Sequence, residues 1–489
     1  MKRRFLVLVA CGLLLDTGGL AVAQEAPLSQ LVVNLFRPER FVNAVGVGPN
    51  HTAHFQLSGG TGGNEILFLN AALVNQAIIS QLTSLPLGSS SGGFTYAFNP
   101  EVGTFERTSD SFGPSLAERA LTNGRGKFNF GINFQSSSFD SFEGKDLEGD
   151  ELKFYLLHND CCAPPGNGIL TTPAFEGDLI ESSLSMSLKS QSVLFFLNYG
   201  ITDRFDVSVV VPITNVEVEA TNTASLQRVS TSINPNIHFF NAGERDAVVF
   251  ADSGSASGLG DIALRGKWNF YQVSGGGLAA GFEVRLPTGD EENLLGLGTT
   301  QAKFSFIASS AWGRLAPHFN LGYKFSGDPP DSLSQVSFPE LVGVDAPTNP
   351  STTRENPSTL SLSQVDIAPD EFNFAAGFDI VLAPKITLAA DILGRRLIDA
   401  GRLREYPYEH RFRVEGPDGN VLVDDGPVRS ITFQQLFLDP VSVNQIFGAV
   451  GAKVNVGSTF LLSVNLLFAL TEEGLRDDIV PIVGFDYVF

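Results

Sequence analysis

Charged side chains recur at every second position in several otherwise apolar stretches of the chain. In "DIALRGKWNF", Arg265 and Lys267 alternate with apolar residues, and in "GFEVRLP" Glu283 is followed two residues later by Arg285. Residues two apart in a β-strand share one face. Such charges on neighbouring strands could line a narrow, water-filled constriction, where rings of charge set the selectivity for ions and polar solutes.

The same alternation of apolar and polar residues occurs in twelve stretches between residues 127 and 489. In "KFNFGINFQSS", for example, Phe128, Phe130 and Ile132 lie on one face, and Asn129 and Asn133 lie on the other. This pattern predicts twelve strands, each with one apolar and one polar face. Soluble sandwiches also alternate in this way, so the strands alone do not identify the class of protein.

The connections between these strands alternate strictly between short and long. Tight links occur near residues 201, 272, 312, 382 and 455, and longer links lie at approximately 139–177, 219–257, 289–298, 327–370, 398–442 and 471–478. Tight periplasmic turns, longer external loops and an even strand number are typical of an outer-membrane β-barrel. A closed barrel also satisfies every backbone hydrogen bond in lipid, which an open sheet does not.

The distribution of charge agrees with this interpretation. The formal net charge is −21, and the excess of acids over bases in the six long links accounts for all of it. So acidic a chain is not expected to bind nucleic acid. Lys189 and other charged residues fall on the polar strand faces, which are expected to face the lumen, and the candidates for lining it are Arg265, Lys267, Glu283, Arg285, Lys303, His318, Lys324, Asp379 and Asp391. Alternatively, these groups pair with one another and seal the barrel.

The first 23 residues predict a cleavable secretory signal. They combine a basic start, an apolar run and the small residues Ala21 and Ala23 ahead of Gln24. An alternative is lipoprotein processing at Cys11, which only six apolar residues precede. Beyond this signal, no stretch reaches the ~18 consecutive apolar residues of a spanning helix.

Two adjacent cysteines, Cys161 and Cys162, remain after removal of the signal. Neighbouring cysteines do not provide a disulfide framework, so a thiol pair or a vicinal disulfide in an exposed loop is expected. The alternative is a metal site with His158 and Asp160, although the spacing is unlike that of a usual zinc site. No metal and no cofactor are predicted.

Residues 24–124 form a separate segment ahead of the predicted barrel at 125–489. "NEILFLNAALVNQAIISQLTSLP" has apolar residues at helical spacing and predicts a helix. This helix is expected to pack at the periplasmic mouth or within its own segment. The alternative is a plug that enters the lumen and gates it.

Several stretches resemble the outer-membrane proteins named for the meta-pathway of phenol degradation. The resemblance rests on "GPSLAERALTNGRGKFNFG", "LNYGITDRFDVSVVVPI", "GLGDIALRGKW", "EVRLPTGD" and "GFDIVLAPKITLAADILG", and it covers roughly residues 110–489. It implies a barrel associated with uptake of hydrophobic or aromatic compounds, and it brings no catalytic residues.

The chain ends on "VGFDYVF", in which Phe485, Tyr487 and Phe489 share one face of the last strand. This ending resembles the assembly signal of bacterial outer-membrane proteins, which implies recognition by the barrel-assembly machinery. The three rings are expected to face lipid, and Tyr487 and Phe489 to belong to the periplasmic aromatic girdle.

The sequence therefore predicts a non-enzymatic barrel in the bacterial outer membrane, with lipid, lipopolysaccharide and a small-molecule solute as partners. A lipase-like dyad of His318 with Ser305 or Ser309 is disfavoured, because these groups would point into the lumen. A structural or adhesive barrel with a sealed lumen, whose acidic loops bind divalent cations that bridge lipopolysaccharide, is the alternative.

Overall fold

A computed structural model of the chain describes residues 27–36, 45–47, 65–82, 89, 93–99, 104–157, 177–231, 238–240, 246–329, 367–414, 416–417, 427–457 and 459–488. The predicted signal at 1–23, the cysteine pair at 161–162 and Phe489 lie outside the described residues. Within them, no helix combines the length and the apolar character needed to cross a membrane.

The described helices lie in the N-terminal segment, and the strands extend to the end of the chain. The helices are a 3₁₀ turn at Leu28–Gln30, α1 (Leu31–Leu35) and α2 (Glu65–Leu82). The strands of the same segment are β1 (Val45–Val47), β2 (Tyr96–Asn99) and β3 (Thr104–Arg107). The strands that follow are β4 (Phe128–Phe139), β5 (Ser141–Phe142), β6 (Lys145–Asp146), β7 (Leu152–Leu157), β8 (Leu179–Thr202), β9 (Phe205–Gln227), β10 (His238–Phe240), β11 (Ala247–Leu259), β12 (Ile262–Val273), β13 (Gly276–Leu286), β14 (Gln301–Ser309), β15 (Leu315–Ser326), β16 (Glu371–Ala383), β17 (Ile386–Leu397), β18 (Arg402–Arg413), β19 (Val428–Asp439), β20 (Val443–Gly457), β21 (Phe460–Ala469), β22 (Leu475–Arg476) and β23 (Ile479–Val488).

Twelve strands close into an antiparallel barrel, in the order β4-β8-β9-β12-β13-β14-β15-β16-β17-β20-β21-β23. The first and last members, β4 and β23, pair with each other from Asn129↔Val488 to Gln135↔Ile482 and so complete the ring. These strands are the twelve that the alternating pattern predicts, and the five tight turns join them where expected. The predicted all-β barrel is confirmed.

The outer face of the ring is apolar. Trp268, Phe304 and Val464 are each 55% exposed, although they are among the most apolar side chains of the chain. Inward-facing neighbours such as Lys267 and Asn465 are buried. An apolar belt around a closed barrel is covered by lipid, because exposing so much apolar surface to water is unfavourable. The closed ring with this belt has the architecture of an outer-membrane β-barrel.

Two barrel strands continue far beyond the others on the side of the long links. β8 has 24 residues and β9 has 23, and β7 and β11 pair with the ends of β8 and β9 that lie away from their tight turn. We call β7, β11 and these ends of β8 and β9 the extension. The long links are therefore not loops alone, because they also contain β5–β7, β10, β11, β18, β19 and β22. The prediction that Lys189 faces the lumen is wrong: it is exposed on the outer face of the extension.

Both N-terminal helices pack inside this extension. Leu28, Leu35 and Ile78 belong to one buried cluster with Leu184 and Val216. α2 contacts α1, β7, β19 and β22. The helix thus lies at the end of the barrel opposite the tight turns, so the placement at the tight-turn mouth is wrong, whereas its contact with α1 lies within its own segment as the sequence also allowed. The reason is that the extension presents an apolar inner face, which the helices cover.

The part of the N-terminal segment from Ser111 to Asn123 lies in the tight-turn half of the lumen. The Phe112 amide donates to Thr387 Oγ1 at 3.1 Å, the Ala120 amide to Ser309 Oγ at 3.0 Å and the Asn123 amide to Asp206 Oδ2 at 2.8 Å. All three acceptors lie on inward-facing positions beside tight turns. We call residues 111–123 the lumen segment.

The lumen segment joins β4 by a close approach between two glycines. Gly124 has φ +94°, and a Cβ on Gly200 would lie 1.9 Å from the Gly124 carbonyl oxygen. A side chain at residue 200 would collide with the backbone here, and only glycine readily adopts the conformation of residue 124. This packing holds the end of the lumen segment against β8, just before the chain continues into β4.

Candidate solute site in the barrel lumen

A row of charged side chains crosses five neighbouring strands in direct register. Arg265 pairs with Glu283, Glu283 with Lys303, Lys303 with Lys324 and Lys324 with Glu371. Directly opposed side chains in an antiparallel sheet lie ~4.5–5.5 Å apart at Cβ. We call these five residues the charged row. The sequence pattern indicated the separate charges, but not that they fall in one line.

Most of the charged row is joined by short ion pairs. Glu283 accepts from Arg265 Nε at 2.6 Å and from Arg285 Nε at 2.9 Å, and Lys324 Nζ lies 2.9 Å from Glu371 Oε2. Lys303 differs from its neighbours, because its ammonium group makes no ion pair within 4.0 Å among the described residues. Its stem passes over Gly322, where a Cβ would come within 3.0 Å of Lys303 Cε.

Strands on the other side of the ring supply an apolar wall. Leu467 and Val480 form a buried cluster with Ala449, against which other side chains pack, among them Leu116, Leu393 and Phe447. Leu467 lies on β21, six strands round the twelve-membered ring from β13, which carries Glu283. The lumen is therefore polar on one side and apolar on the opposite side.

A cavity of about 190 Å³ lies between these two walls. Its lower boundary is the lumen segment, where Leu116 and Glu118 border it, and its upper boundary includes Leu475 and Asp477. Glu118 is fixed by its amide, which donates to Asn320 Oδ1 at 2.6 Å, and by its carboxylate, 3.3 Å from Lys267 Nζ. The cavity is thus built jointly by the ring and the N-terminal segment.

The cavity has an excess of positive charge. Six cationic side chains line it, namely Arg265, Lys267, Arg285, Lys303, Lys324 and Arg395, against the four acids Glu118, Glu283, Glu371 and Asp477. The difference is two positive charges. This local excess contrasts with the net charge of −21 for the whole chain.

Glu118, Glu371 and Arg395 are lining residues that the sequence reasoning missed. Glu371 and Arg395 continue the inward-facing parity of Asp379 and Asp391, so extending the alternation along the same strands would have found them. Arg395 donates to Gln445 Oε1 at 2.6 Å. No periodic signal marks Glu118, because it belongs to the lumen segment and not to a strand.

The remaining predicted lining residues lie below the cavity, beside the lumen segment. His318 Nε2 is 2.7 Å from Asp391 Oδ1, and Asp379 accepts from Ser111 Oγ at 3.2 Å. Lys453 Nζ donates to the Pro114 carbonyl at 2.9 Å. The structure thus places Arg265, Lys267, Glu283, Arg285, Lys303 and Lys324 around the cavity, and His318, Asp379 and Asp391 around the lumen segment.

Among the described residues, no hydrogen bond joins His318 to Ser305 or Ser309, although Ser309 and His318 are directly opposed on β14 and β15. The Ser309 hydroxyl accepts from the Ala120 amide, and His318 Nε2 is engaged with Asp391. Nor do the described residues contain a group of three or more His, Cys, Asp or Glu side chains placed to hold a metal ion.

Asp477 is a titratable group at the upper boundary of the cavity and outside the barrel strands. Burial, with further repulsion from Asp140 and Asp478, raises its pKa to about 6. The carboxylate accepts from the amides of Ser138 at 2.7 Å and Ile479 at 3.0 Å, which opposes the shift. This acid therefore changes charge in a mildly acidic medium.

The outward face of β23 carries two of the three residues of the predicted assembly signal. The Phe460 ring lies 5.5 Å from the Phe485 ring and 4.7 Å from the Tyr487 ring. All three rings are close to a tight turn on the outer surface. Phe489 lies outside the described residues.

One family model matches part of the chain. Residues 185–350 match the model of the family described as "Putative MetA-pathway of phenol degradation". This match confirms the family resemblance over those residues. No curated protein matches the sequence.

Similar solved structures are outer-membrane proteins. An outer membrane channel from Pseudomonas putida F1 is 12% identical at a TM-score of 0.37, with 75% of this chain and 96% of that chain covered. A monoaromatic hydrocarbon channel has 10% identity and a TM-score of 0.28, with coverages of 75% and 89%. The toluene transporter of Ralstonia pickettii has 9% identity and a TM-score of 0.26, with coverages of 75% and 90%. Because these TM-scores are low, the closed barrel is established by the strand pairing within this chain and not by its similarity to these structures.

Proposed function

We propose that this protein is an outer-membrane uptake channel for small hydrophobic and aromatic compounds. The observation that carries the proposal is the cavity of about 190 Å³ at mid-height of the closed barrel, with one charged and one apolar wall. Binding sites for small molecules are mostly apolar, with a few placed polar groups that orient the ligand. The matched family and the hydrocarbon channels of similar fold support the same proposal.

The lumen segment would control passage through this channel. It occupies the tight-turn half of the lumen and is held there by polar contacts from Ser111 to Asn123. A solute that reaches the cavity leaves it only if part of this segment moves. The division of the chain into residues 24–124 and a barrel from 125 remains part of this proposal.

Uptake into vesicles whose outer leaflet is lipopolysaccharide tests the proposal. Radiolabelled benzyl alcohol should enter vesicles containing the wild-type protein faster than protein-free vesicles. Ser305→Trp should abolish this difference, because Ser305 lines the cavity and an indole would fill it. The matched control is Ser187→Trp, on the outer face of the extension, which should leave uptake unchanged.

A sealed structural barrel is a second candidate, favoured by the ion pairs around Glu283 and by the contacts that hold the lumen segment. If wild-type vesicles take up benzyl alcohol no faster than protein-free vesicles, the sealed barrel is the better account. Its acidic outer links would then bind lipopolysaccharide through divalent cations.

Assembly in the membrane is a further part of the proposal. Phe485 and Tyr487 face outward near a tight turn, where the barrel-assembly machinery would recognise the last strand. Lipid would then cover the same rings in the folded protein. Catalysis has no part in the proposal, and no cofactor is invoked.

A further inference from the structure

Two lysines of the charged row are directly opposed, and of these two only Lys324 contacts a carboxylate among the described residues. Lys303 and Lys324 are directly paired across β14 and β15, and Glu371 contacts Lys324 alone. Like charges directly opposite each other in a sheet are destabilising. The ammonium group of Lys303 lies in the lumen without an ion pair within 4.0 Å among the described residues, although Glu283 and Glu371 attract it from a longer distance.

A ligand carboxylate would relieve this arrangement. It would approach Lys303 and Lys324 together, where it would form charge-assisted hydrogen bonds, which are about twice as strong as neutral ones. Neither glutamate of the charged row makes an ion pair with Lys303. Glu283 pairs with two arginines, and Glu371 pairs with Lys324.

The size and the opposite wall of the cavity define the rest of the ligand. A protein cavity of about 150 Å³ lined by apolar side chains binds benzene. The volume of about 190 Å³ found here therefore accommodates one ring with one small polar substituent. Phe447, Leu467 and Val480 line the cavity on the side away from Lys303 and offer an apolar surface for that ring.

We propose that the cavity is a binding subsite for small ring-bearing monocarboxylates, with the carboxylate between Lys303 and Lys324 and the ring against Phe447 and Leu467. As a selectivity site for uptake, it rests on the proposed function. As a binding site, it stands on the charged row and the cavity alone.

Binding of 4-fluorobenzoate to the purified full-length protein in detergent, followed by ¹⁹F NMR, tests the subsite. Lys303→Gln should weaken binding about tenfold or more, as expected for loss of a charged hydrogen-bonding partner. Lys303→Arg should restore most of the affinity. Lys189→Gln, which neutralises an exposed lysine of the extension, should bind as the wild type does.

A measurement on the wild type alone covers the case in which Lys303→Gln does not fold. 4-Fluorobenzamide has nearly the same shape as 4-fluorobenzoate but no charge, so it should bind about tenfold more weakly. Equal affinity for the two probes overturns the proposal, and so does unchanged benzoate affinity in a folded Lys303→Gln variant.

The uptake of benzyl alcohol separates failure of the subsite from failure of the channel. Uptake of the neutral alcohol without charge-selective binding of 4-fluorobenzoate would retain the channel and remove the subsite. Charge-selective binding without uptake would retain the subsite and remove the channel.

Discussion

The two ends of strand β8 follow the same alternation with opposite polarity. Near the tight turn, Leu197 faces outward and is 42% exposed, whereas its neighbour Asn198 faces inward and is buried. In the extension, Leu184 and Leu188 face inward and are buried, whereas Lys189 is exposed on the outside. β9 changes in the same way, from outward Ile213 to outward Glu217 and Glu219.

The inversion locates the change of surroundings along the strands. Ser192 on β8 and Thr214 on β9 share a hydrogen bond of 3.0 Å at the level where the polarity reverses. On the tight-turn side of this level, the outer face of β8 and β9 is apolar and lipid covers it, whereas the inner face carries both polar groups such as Asn198 and the apolar cluster of Leu194 and Phe196. Beyond it, water surrounds the extension, and the helices supply an apolar interior. The same backbone pairing thus serves two different solvents.

The largest expected effect concerns the outward aromatic residues at the tight-turn end of β23. Replacing Tyr487 and Phe489 together by Ser should remove most of the folded protein, since apolar surface for lipid and the proposed recognition signal are lost together. Heat-modifiable migration on gels measures the folded fraction. Ile479→Ser, at the outward-facing opposite end of the same strand, should fold normally. Equal yields for the two variants would contradict the assembly role.

A second comparison sets a phenylalanine of the extension against one of the outer belt. Phe154 is fully buried and packs edge-on against Phe36 at 5.4 Å, so Phe154→Ala should cost about 3–5 kcal/mol locally. Hydrogen exchange of α2 should accelerate strongly, whereas the amides of the twelve barrel strands should stay protected. Phe304→Ala, on the outer belt, leaves no internal cavity and should change exchange of α2 little. If the barrel strands lose protection together with the extension, the two unfold as one cooperative unit.

A third comparison introduces the same charge on both outer faces of β8. Leu197→Arg places a cation in lipid and should destabilise the barrel by about 2–4 kcal/mol. Ser187→Arg places it in water and should change the free energy of unfolding by no more than about 0.5 kcal/mol. Urea titration in lipid vesicles gives both values. Similar costs would mean that the polarity reversal does not mark the membrane boundary.

The smallest expected effect is a pH dependence at the outer end of the cavity. The pKa of Asp477 is about 6 in the folded protein, above its ordinary value of 3.8, so the folded state binds the proton more tightly. The structure around Ser138 and Ile479 should therefore become more stable as pH falls from above 6 towards 4. The protection factors of these two amides, which are corrected for the intrinsic pH dependence of exchange, should rise over that range. Asp477→Asn should abolish the pH dependence, and its persistence would assign it to another group.

The strand positions and the tight turns were predictable because each depends on local sequence. Adjacent strand positions differ in polarity, as in Lys267 and Trp268 or in Asn129 and Phe130. Such alternation is expected in any sheet that separates two environments. The position of Lys189 was not predictable from alternation alone. Alternation shows that two faces differ, and it does not show which face is inside.

The candidate site was predictable only in part. Arg265, Glu283, Lys303 and Lys324 carry the right parity, so their inward direction follows from the sequence pattern. Glu118 has no such signal, since its place in the lumen depends on contacts with residues more than a hundred positions away, such as Lys267.

What the sequence by itself determined is the set of twelve alternating strands, their tight and long connections and the acidic character of the outer links. These are local properties, decided by side-chain polarity and turn chemistry. Only the tertiary structure decided that β4 meets β23, that the N-terminal segment enters the lumen, and that Lys303 is opposed to Lys324 and makes no ion pair within 4.0 Å among the described residues. The physical reason is that ring closure and register bring distant residues together, and neither the charge excess of the cavity nor its apolar wall exists before that closure.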